Sequence, residues 1–113
     1  MQISFLFLGG KVEKTNDQID GEVKRINEIA MEVLNGKIIH TNSDLDDLLS
    51  ELYNKLSKEL NTDVEIDAEY EGEEEGEIYI YVTITTPHGK YATSIVLTRA
   101  YEVNLALDVY PTE

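Results

Sequence analysis

The chain has 113 residues, no cysteine, and 23 acidic against nine basic residues, for a formal net charge of −14. A chain of this length buries enough surface for a core without disulfides or metals, so we expect one domain over residues 1–113. The composition excludes disulfides and cysteine nucleophiles, and the negative charge argues against direct binding to nucleic acid or to anionic membrane surfaces.

The first predicted elements are a strand and an amphipathic helix. Residues 2–8 are aromatic and branched, which is typical of a strand, and Gly9 and Gly10 end it. Thr15 with Gln18 three residues later forms a capping box, which predicts a helix from there to the stop signal Gly36. Its apolar face repeats with a period near 3.6. The residues of that face are Ile19, Val23, Ile26, Ala30, Val33 and Leu34.

A second helix is predicted from Ser43 to Asn61, after a connector or very short strand at 37–42. Acidic residues at its start and Lys55 and Lys58 near its end suit the helix dipole. Its buried stripe consists of leucines. They are Leu45, Leu48, Leu49, Leu52, Leu56 and Leu60.

From residue 63 the apolar period changes from 3.6 to two, which predicts four strands. The strands are residues 63–71, 77–86, 90–98 and 102–109, joined by a GEEEG loop at 72–76, a PHG turn at 87–89 and a tight corner near Arg99–Tyr101. Short sequential links favour an antiparallel meander. The predicted fold class is α+β in the order β-α-α-β-β-β-β, with both helices packed on one face of the sheet.

One segment differs from the rest of the chain in its charge. Residues 63–77 hold nine acids and no lysine or arginine, so most of the net charge is concentrated there. On the strand 63–71 the acids alternate with apolar residues, which places them on one face about 6.6–6.8 Å apart. The candidate partner-binding acids are Asp63, Glu65, Asp67, Glu69, Glu71, Glu73, Glu74, Glu75 and Glu77.

Two tyrosines extend this candidate surface. If Ile78, Ile80, Val82 and Ile84 face the helices, the opposite face of the strand 77–86 carries Tyr79, Tyr81, Thr83 and Thr85. Tyrosine is enriched in recognition surfaces, so Tyr79 and Tyr81 join the candidate partner-binding residues. Simple strand propensity, or packing in a homodimer, explains the same pattern.

No catalytic or cofactor site can be recognised in the sequence. His40 and His88 are the only histidines, and neither has a companion at metal-ligand spacing. The serines lack a nucleophile-elbow context, and Gly9-Gly10-Lys11 lacks the spacing of a phosphate loop. We therefore expect no catalytic residue, no metal and no cofactor, and a protein that is not an enzyme.

The function that these patterns favour is inhibition by mimicry of a phosphate backbone. The partner would be a basic nucleic-acid-handling protein, such as a nuclease, a glycosylase or a CRISPR effector. In general character the chain is similar to small acidic phage proteins that counter host defence and to immunity proteins of nuclease toxins. One alternative is an ordinary charged edge strand, which blocks aggregation, and another is an assembly protein that oligomerises through its Tyr/Thr face. Calcium binding by the acids, and a small enzyme or ligand-binding protein with a pocket between the helices and the sheet, are further alternatives.

The expected location is the cytoplasm, which would be the host's if the protein is viral. The lack of cysteine fits a reducing compartment. No apolar run approaches the roughly 20 residues of a membrane span, and the apolar start lacks the features of a signal peptide.

Overall fold

The computed structural model describes the backbone of residues 12–112 and the side chains of residues 20–112. Within this part, two helices pack on one face of a six-stranded antiparallel sheet, which confirms the predicted α+β meander. The predicted strand at residues 2–8 lies outside the described residues.

The two helices are α1 (Val12–Leu34) and α2 (Asn42–Leu60), separated by the two-residue strand β1 (Lys37–Ile38). The prediction that α1 begins at Thr15 is wrong, because the helix already includes Val12. Glu13 and Lys14 are good helix formers and extend it. Gly36 follows α1 with a φ of +80°, as the stop signal predicted.

Caps at both ends fix the length of α2. The hydroxyl of Thr41 accepts a hydrogen bond from the backbone N–H of Asp44 at 3.1 Å, so the cap is Thr41 and not the predicted Ser43. At the other end Asn61 adopts a left-handed conformation with a φ of 53°, and its N–H bonds to the carbonyl of Ser57. The predicted end of α2 is thereby confirmed.

The remaining strands are β2 (Glu65–Glu74), β3 (Glu77–Thr86), β4 (Gly89–Leu97), β5 (Glu102–Leu105) and β6 (Tyr110–Pro111). Their spatial order is β1-β5-β4-β3-β2, and β6 pairs with the beginning of β4. The predicted last strand over 102–109 is therefore divided. It leaves the ladder after Leu105, and the chain pairs with β4 again at Tyr110.

The hairpin between β2 and β3 is tighter than the predicted GEEEG loop. Glu75 and Gly76 have φ angles of 54° and 82°, the signature of a two-residue type I′ turn, so strand pairing continues as far as Glu74 and Glu77. Gly76 packs against the side chain of Arg99. A Cβ at this position would lie 2.7 Å from Arg99 Cδ.

The hairpin loop between β4 and β5 places a tyrosine in an unusual conformation. Tyr101 has a φ of 66°, a region that glycine and asparagine favour and that costs other residues about 1–2 kcal/mol. Thr98 holds the loop, because its hydroxyl accepts hydrogen bonds from the N–H groups of Ala100 and Glu102. The carbonyl of Tyr101 accepts a bond from the N–H of Ile39 at 2.9 Å. The loop therefore also anchors the segment that leads into α2.

The core lies between the helices and the inward face of β3 and β4. Every second residue from Ile80 to Thr86 is buried, and the intervening residues are half-buried, as the alternation predicts. On the helix side the buried residues come mainly from the predicted stripes. They are Ile26, Ile29, Ala30, Val33, Leu34, Leu48, Leu52 and Leu56.

A polar network attaches α1 to the end of the β3–β4 hairpin. The side chain of Glu22 is only 9 % exposed and accepts hydrogen bonds from Tyr91 Oη at 2.5 Å, Thr86 Oγ1 at 2.8 Å and His88 Nδ1 at 2.9 Å. Burial alone would raise the pKa of the Glu22 carboxyl, but the three donors and the charge of His88 together lower it. Burial, and then the bond to Glu22, raises the pKa of Tyr91.

Among the described residues, no helix has the length and apolar composition that crossing a membrane would require.

Candidate protein-interaction surface

The acidic strand β2 is the last strand of the sheet on its side, within the part of the chain that the structure describes. Antiparallel pairing places Glu65 opposite Thr85, Asp67 opposite Thr83 and Glu69 opposite Tyr81. Directly opposed residues point to the same side of a sheet, so all three acids lie on the face without helices. We call Glu65, Asp67 and Glu69 the acid row.

A β-bulge interrupts β2 directly after the acid row. Tyr70 pairs with Ile80 and Gly72 pairs with Tyr79, so Glu71 is an extra residue without its own partner. The bulge shifts the alternation that follows. Glu73 lies opposite Ile78 on the helix side, whereas Glu74 and Glu77 lie opposite each other on the open face. The extra residue therefore divides the acids of β2 between the two faces.

Glu71 folds across the sheet instead of extending the acid row. Its Oε1 accepts a hydrogen bond of 2.9 Å from Ser94 Oγ, on a strand that is not adjacent to β2. Tyr110 lies beside this pair. Partial desolvation, the neighbouring Tyr81 and the charge of Glu71 raise the pKa of Tyr110. Glu71, Tyr81, Ser94 and Tyr110 thus form one polar cluster on the open face.

The other candidate residues take up separate positions. Asp63 precedes β2, and Glu75 occupies the hairpin turn, so neither belongs to the ladder. Tyr79 and Tyr81 lie half-buried on the open face, as the alternation predicts. Tyr79 also lines a shallow depression of about 490 Å³ between the bulged end of β2 and Leu107. The acid row and the tyrosines consequently share one surface.

The charges of the segment 63–77 are not neutralised by ion pairs among the side chains of residues 20–112. The lysine and arginine ion pairs formed there join Arg25 to Glu28 and Glu59, and Lys55 to Glu32, all on the two helices. Because no lysine or arginine of this part pairs with the acids of β2, the open face is anionic at its β2 side.

The sequence did not reveal a groove on the opposite face. It has a volume of about 690 Å³ and lies between the start of α2 and the hairpin end of β2 and β3. The apolar residues that alternate with the acids lie on this face, where Val64 is buried and Ile66 half-buried, but Ala68 and Tyr70 are exposed, because α2 does not extend over them. Tyr101 borders the groove and has a positive φ. The sequence does not indicate this conformation, because the position holds neither glycine nor asparagine.

The histidines occupy structural positions. His88 bonds to Glu22, and the ring of His40 lies 4.7 Å from that of Tyr101. Over residues 20–112 no three side chains of His, Cys, Asp or Glu are arranged to hold a metal ion. What the open face offers chemically is negative charge beside aromatic and hydroxyl groups.

Comparisons with protein-family models, with curated proteins and with solved structures gave no significant match.

Proposed function

We propose that this protein binds a basic nucleic-acid-handling protein and inhibits it by occupying the site that holds a phosphate backbone. The observation that carries the proposal is the acid row, three carboxylates in register on the open face of an end strand, without an ion-pair partner among the described side chains. A nuclease, a glycosylase or a CRISPR effector is the type of partner that this surface fits. In such a role the protein would counter a host defence or act as an immunity protein.

The spacing of the row supports the proposal. Side chains two residues apart on a strand are separated by about 6.6–6.8 Å. Neighbouring phosphates along one nucleic-acid strand are also roughly 6–7 Å apart through space, although their axial rise is smaller. A rigid strand therefore presents carboxylates at an interval that suits lysines and arginines arranged for phosphates.

The composition of the surface supports it as well. Tyr81 lies opposite Glu69, and Tyr79 follows on the same face. Tyrosine gives a large contact area at a small cost in conformational entropy, which is why interfaces are enriched in it. The charges would speed association with a basic protein, and the aromatic rings would stabilise the complex after contact.

Competition with nucleic acid tests the proposal directly. The immobilised protein is exposed to a cell lysate at low salt, and the bound proteins are identified by mass spectrometry. We expect basic nucleic-acid-binding proteins that are released by duplex DNA and by about 0.5 M salt, where screening is strong. The purified partner should lose nucleic-acid binding when this protein is added.

Charge reversal supplies the matched control. Replacing Glu65, Asp67 and Glu69 with lysine should abolish capture of the partner. The control variant has lysine in place of Asp20, Asp47 and Glu51, which are exposed on the helices. It changes the net charge equally and should still capture the partner. Circular dichroism verifies that both variants fold. If both variants retain the partner, or both lose it alike, a specific role of the acid row is wrong.

A second candidate function is assembly through the open face. Within the described residues no helix packs over Tyr79, Tyr81, Thr83 and Thr85, and these side chains are half-buried, with Tyr110 beside Tyr81. Under this reading light scattering finds an oligomer that persists at high salt and dissociates in the variant Tyr81→Glu. A monomer that releases its partner in salt favours mimicry instead.

A further inference from the structure

The groove on the helix face has an apolar floor that the described residues leave open. Leu45 and Leu49 of α2 line it on one side, and Ile78, Ile80 and Leu97 line it from the sheet. The next leucines of the same helix stripe, Leu48, Leu52 and Leu56, are buried. Over residues 20–112 the groove is thus an uncovered end of the core, with a volume in the range of ligand and peptide sites.

Two tyrosines border the groove, and both are more exposed than a core position allows. Tyr70 is 69 % exposed although its strand partner Ile80 is buried, and Tyr101 is 52 % exposed. Tyr101 also occupies a left-handed position where glycine or asparagine would be less strained. Strain retained at an exposed aromatic residue is typical of a residue whose side chain is used in binding.

The charge of the rim restricts the occupant. Asp46 and Glu69 line the groove, and none of the residues that the structure places around it is a lysine or an arginine. A second copy of a chain with net charge −14 would be repelled. A cationic group beside an apolar one would meet the carboxylate of Asp46 and the faces of the tyrosine rings.

Glu69 connects the groove to the acid row. It is the last acid of the row before the bulge, and it also lines the groove. A partner that covers the row therefore has the groove within reach, around the outer side of β2.

We propose that the groove binds a short segment of the partner protein in which an apolar side chain is flanked by lysine or arginine. That the partner is basic rests on the proposed function, whereas the groove itself is a feature of the structure and does not depend on it. The apolar anchor enters between Tyr70 and Tyr101 and contacts the leucines of α2. One flanking cation lies against Asp46, and another reaches Glu69 around the outer side of β2.

Two synthetic peptides test this proposal on the full chain. The anchored peptide has twelve residues, which are lysine and glycine except for a central Phe-Leu pair. Its twin has two serines in place of that pair, so the two peptides carry the same charge. We expect the anchored peptide to bind at least fivefold more tightly in calorimetry. It should shift the NMR signals of Leu45, Ile78 and Tyr101, whereas the twin shifts only those of the acid row.

Two variants separate the groove from the row. Tyr101→Gly fits the left-handed backbone, so it should fold normally and lower the affinity for the anchored peptide about fivefold while leaving the twin unaffected. Tyr53→Ala, which removes an exposed tyrosine that does not line the groove, is the control and should change neither. Charge reversal at Glu65 and Asp67 should weaken both peptides alike.

The contrary outcomes are specific. Equal affinity of the two peptides, or no binding by either, overturns the groove proposal, and the DNA competition experiment still decides the proposed function separately. Nuclear Overhauser contacts between Tyr101 and Phe5 or Phe7 in the free protein would mean that the chain fills its own groove. Concentration-dependent broadening of the groove signals would mean that a second copy does, and either result also overturns the proposal.

Discussion

The carboxylate of Glu71 and the hydroxyl of Ser94 are joined by a 2.9 Å hydrogen bond that passes over an intervening strand. The β-bulge makes this contact possible, because the extra residue leaves Glu71 without a ladder partner and turns its side chain inward over the sheet. One acid of the segment 63–77 is thereby committed to the fold rather than to the acid row.

This contact predicts a stability effect for Ser94→Ala. Ser94 is almost fully buried, and its hydroxyl bonds to a charged group, so its removal should lower the free energy of unfolding by about 1–3 kcal/mol. Urea unfolding measures the loss. Ser50→Ala, at an exposed position of α2, is the control and should stay within about 0.5 kcal/mol of the original. Equal effects of the two substitutions would mean that the bond to Glu71 contributes nothing.

The acid row should destabilise the fold through repulsion between its own carboxylates. We expect Asp67→Lys, at the middle of the row, to raise the free energy of unfolding by about 0.2–1 kcal/mol at low salt, and the gain to disappear in 1 M salt. Urea unfolding at both salt concentrations measures it. Asp47→Lys has the same effect on net charge and should give a smaller gain. If the gain at residue 67 persists in 1 M salt, its origin is not electrostatic.

The network around Glu22 predicts a dependence of stability on acid. Because the pKa of Glu22 is lower in the folded protein than its ordinary value of 4.5, the unfolded chain binds more protons between the two values. The stability that the carboxylate contributes is therefore fully present above pH 4.5 and is lost as the pH falls through the folded pKa.

Glu22→Gln isolates this contribution from those of the other acids. At pH 7 it should lower the free energy of unfolding by about 1–3 kcal/mol, because the charged acceptor of three donors is lost. The difference between the two proteins should shrink steadily from pH 5 to pH 3. A difference that stays constant over this range would contradict a lowered pKa of Glu22. Tyr91→Phe should lower the free energy of unfolding less than Glu22→Gln, because two hydrogen-bond donors to the Glu22 carboxylate remain.

Two glycines of the acidic hairpin should respond in opposite ways to alanine. Gly76→Ala should lower the free energy of unfolding by about 1–2 kcal/mol, because the residue has a φ of 82° and its new Cβ would lie 2.7 Å from Arg99 Cδ. Gly72→Ala meets no atom within 4 Å and has no left-handed backbone, so it should be neutral or slightly stabilising. Thermal unfolding compares them, and equal shifts would contradict the turn geometry.

The strands were predictable where side-chain alternation is strict, and uncertain where the backbone departs from it. Residues 77–86 form a strand with the predicted bounds, because both turns that enclose it have glycine signals. The bulge at Glu71 had only Gly72 as a signal, since an isolated glycine in a strand marks either a bulge or a turn. The predicted loop at 72–76 takes Gly72 as part of a turn, whereas the structure has a bulge there and strand pairing as far as Glu74.

The acids facing the solvent followed from periodicity, but the groove did not. Whether Ala68 and Tyr70 are covered depends on where α2 begins relative to the hairpin, which no local pattern encodes. Tyr101 was equally inaccessible to sequence reasoning, because its left-handed conformation is imposed by Thr98 and by the bond to Ile39 and not by its own propensity.

The outer edge of β2 affects how the protein should be handled. Over the described residues this ten-residue strand has neighbours on one side only, and its carboxylates keep other copies away while they are ionised. Near the isoelectric point the molecule carries no net charge, so this repulsion is lost and the open backbone becomes a template on which further chains can stack. Preparations that pass through the isoelectric region near pH 4.3 therefore risk fibrils, which a dye-binding assay across pH would detect.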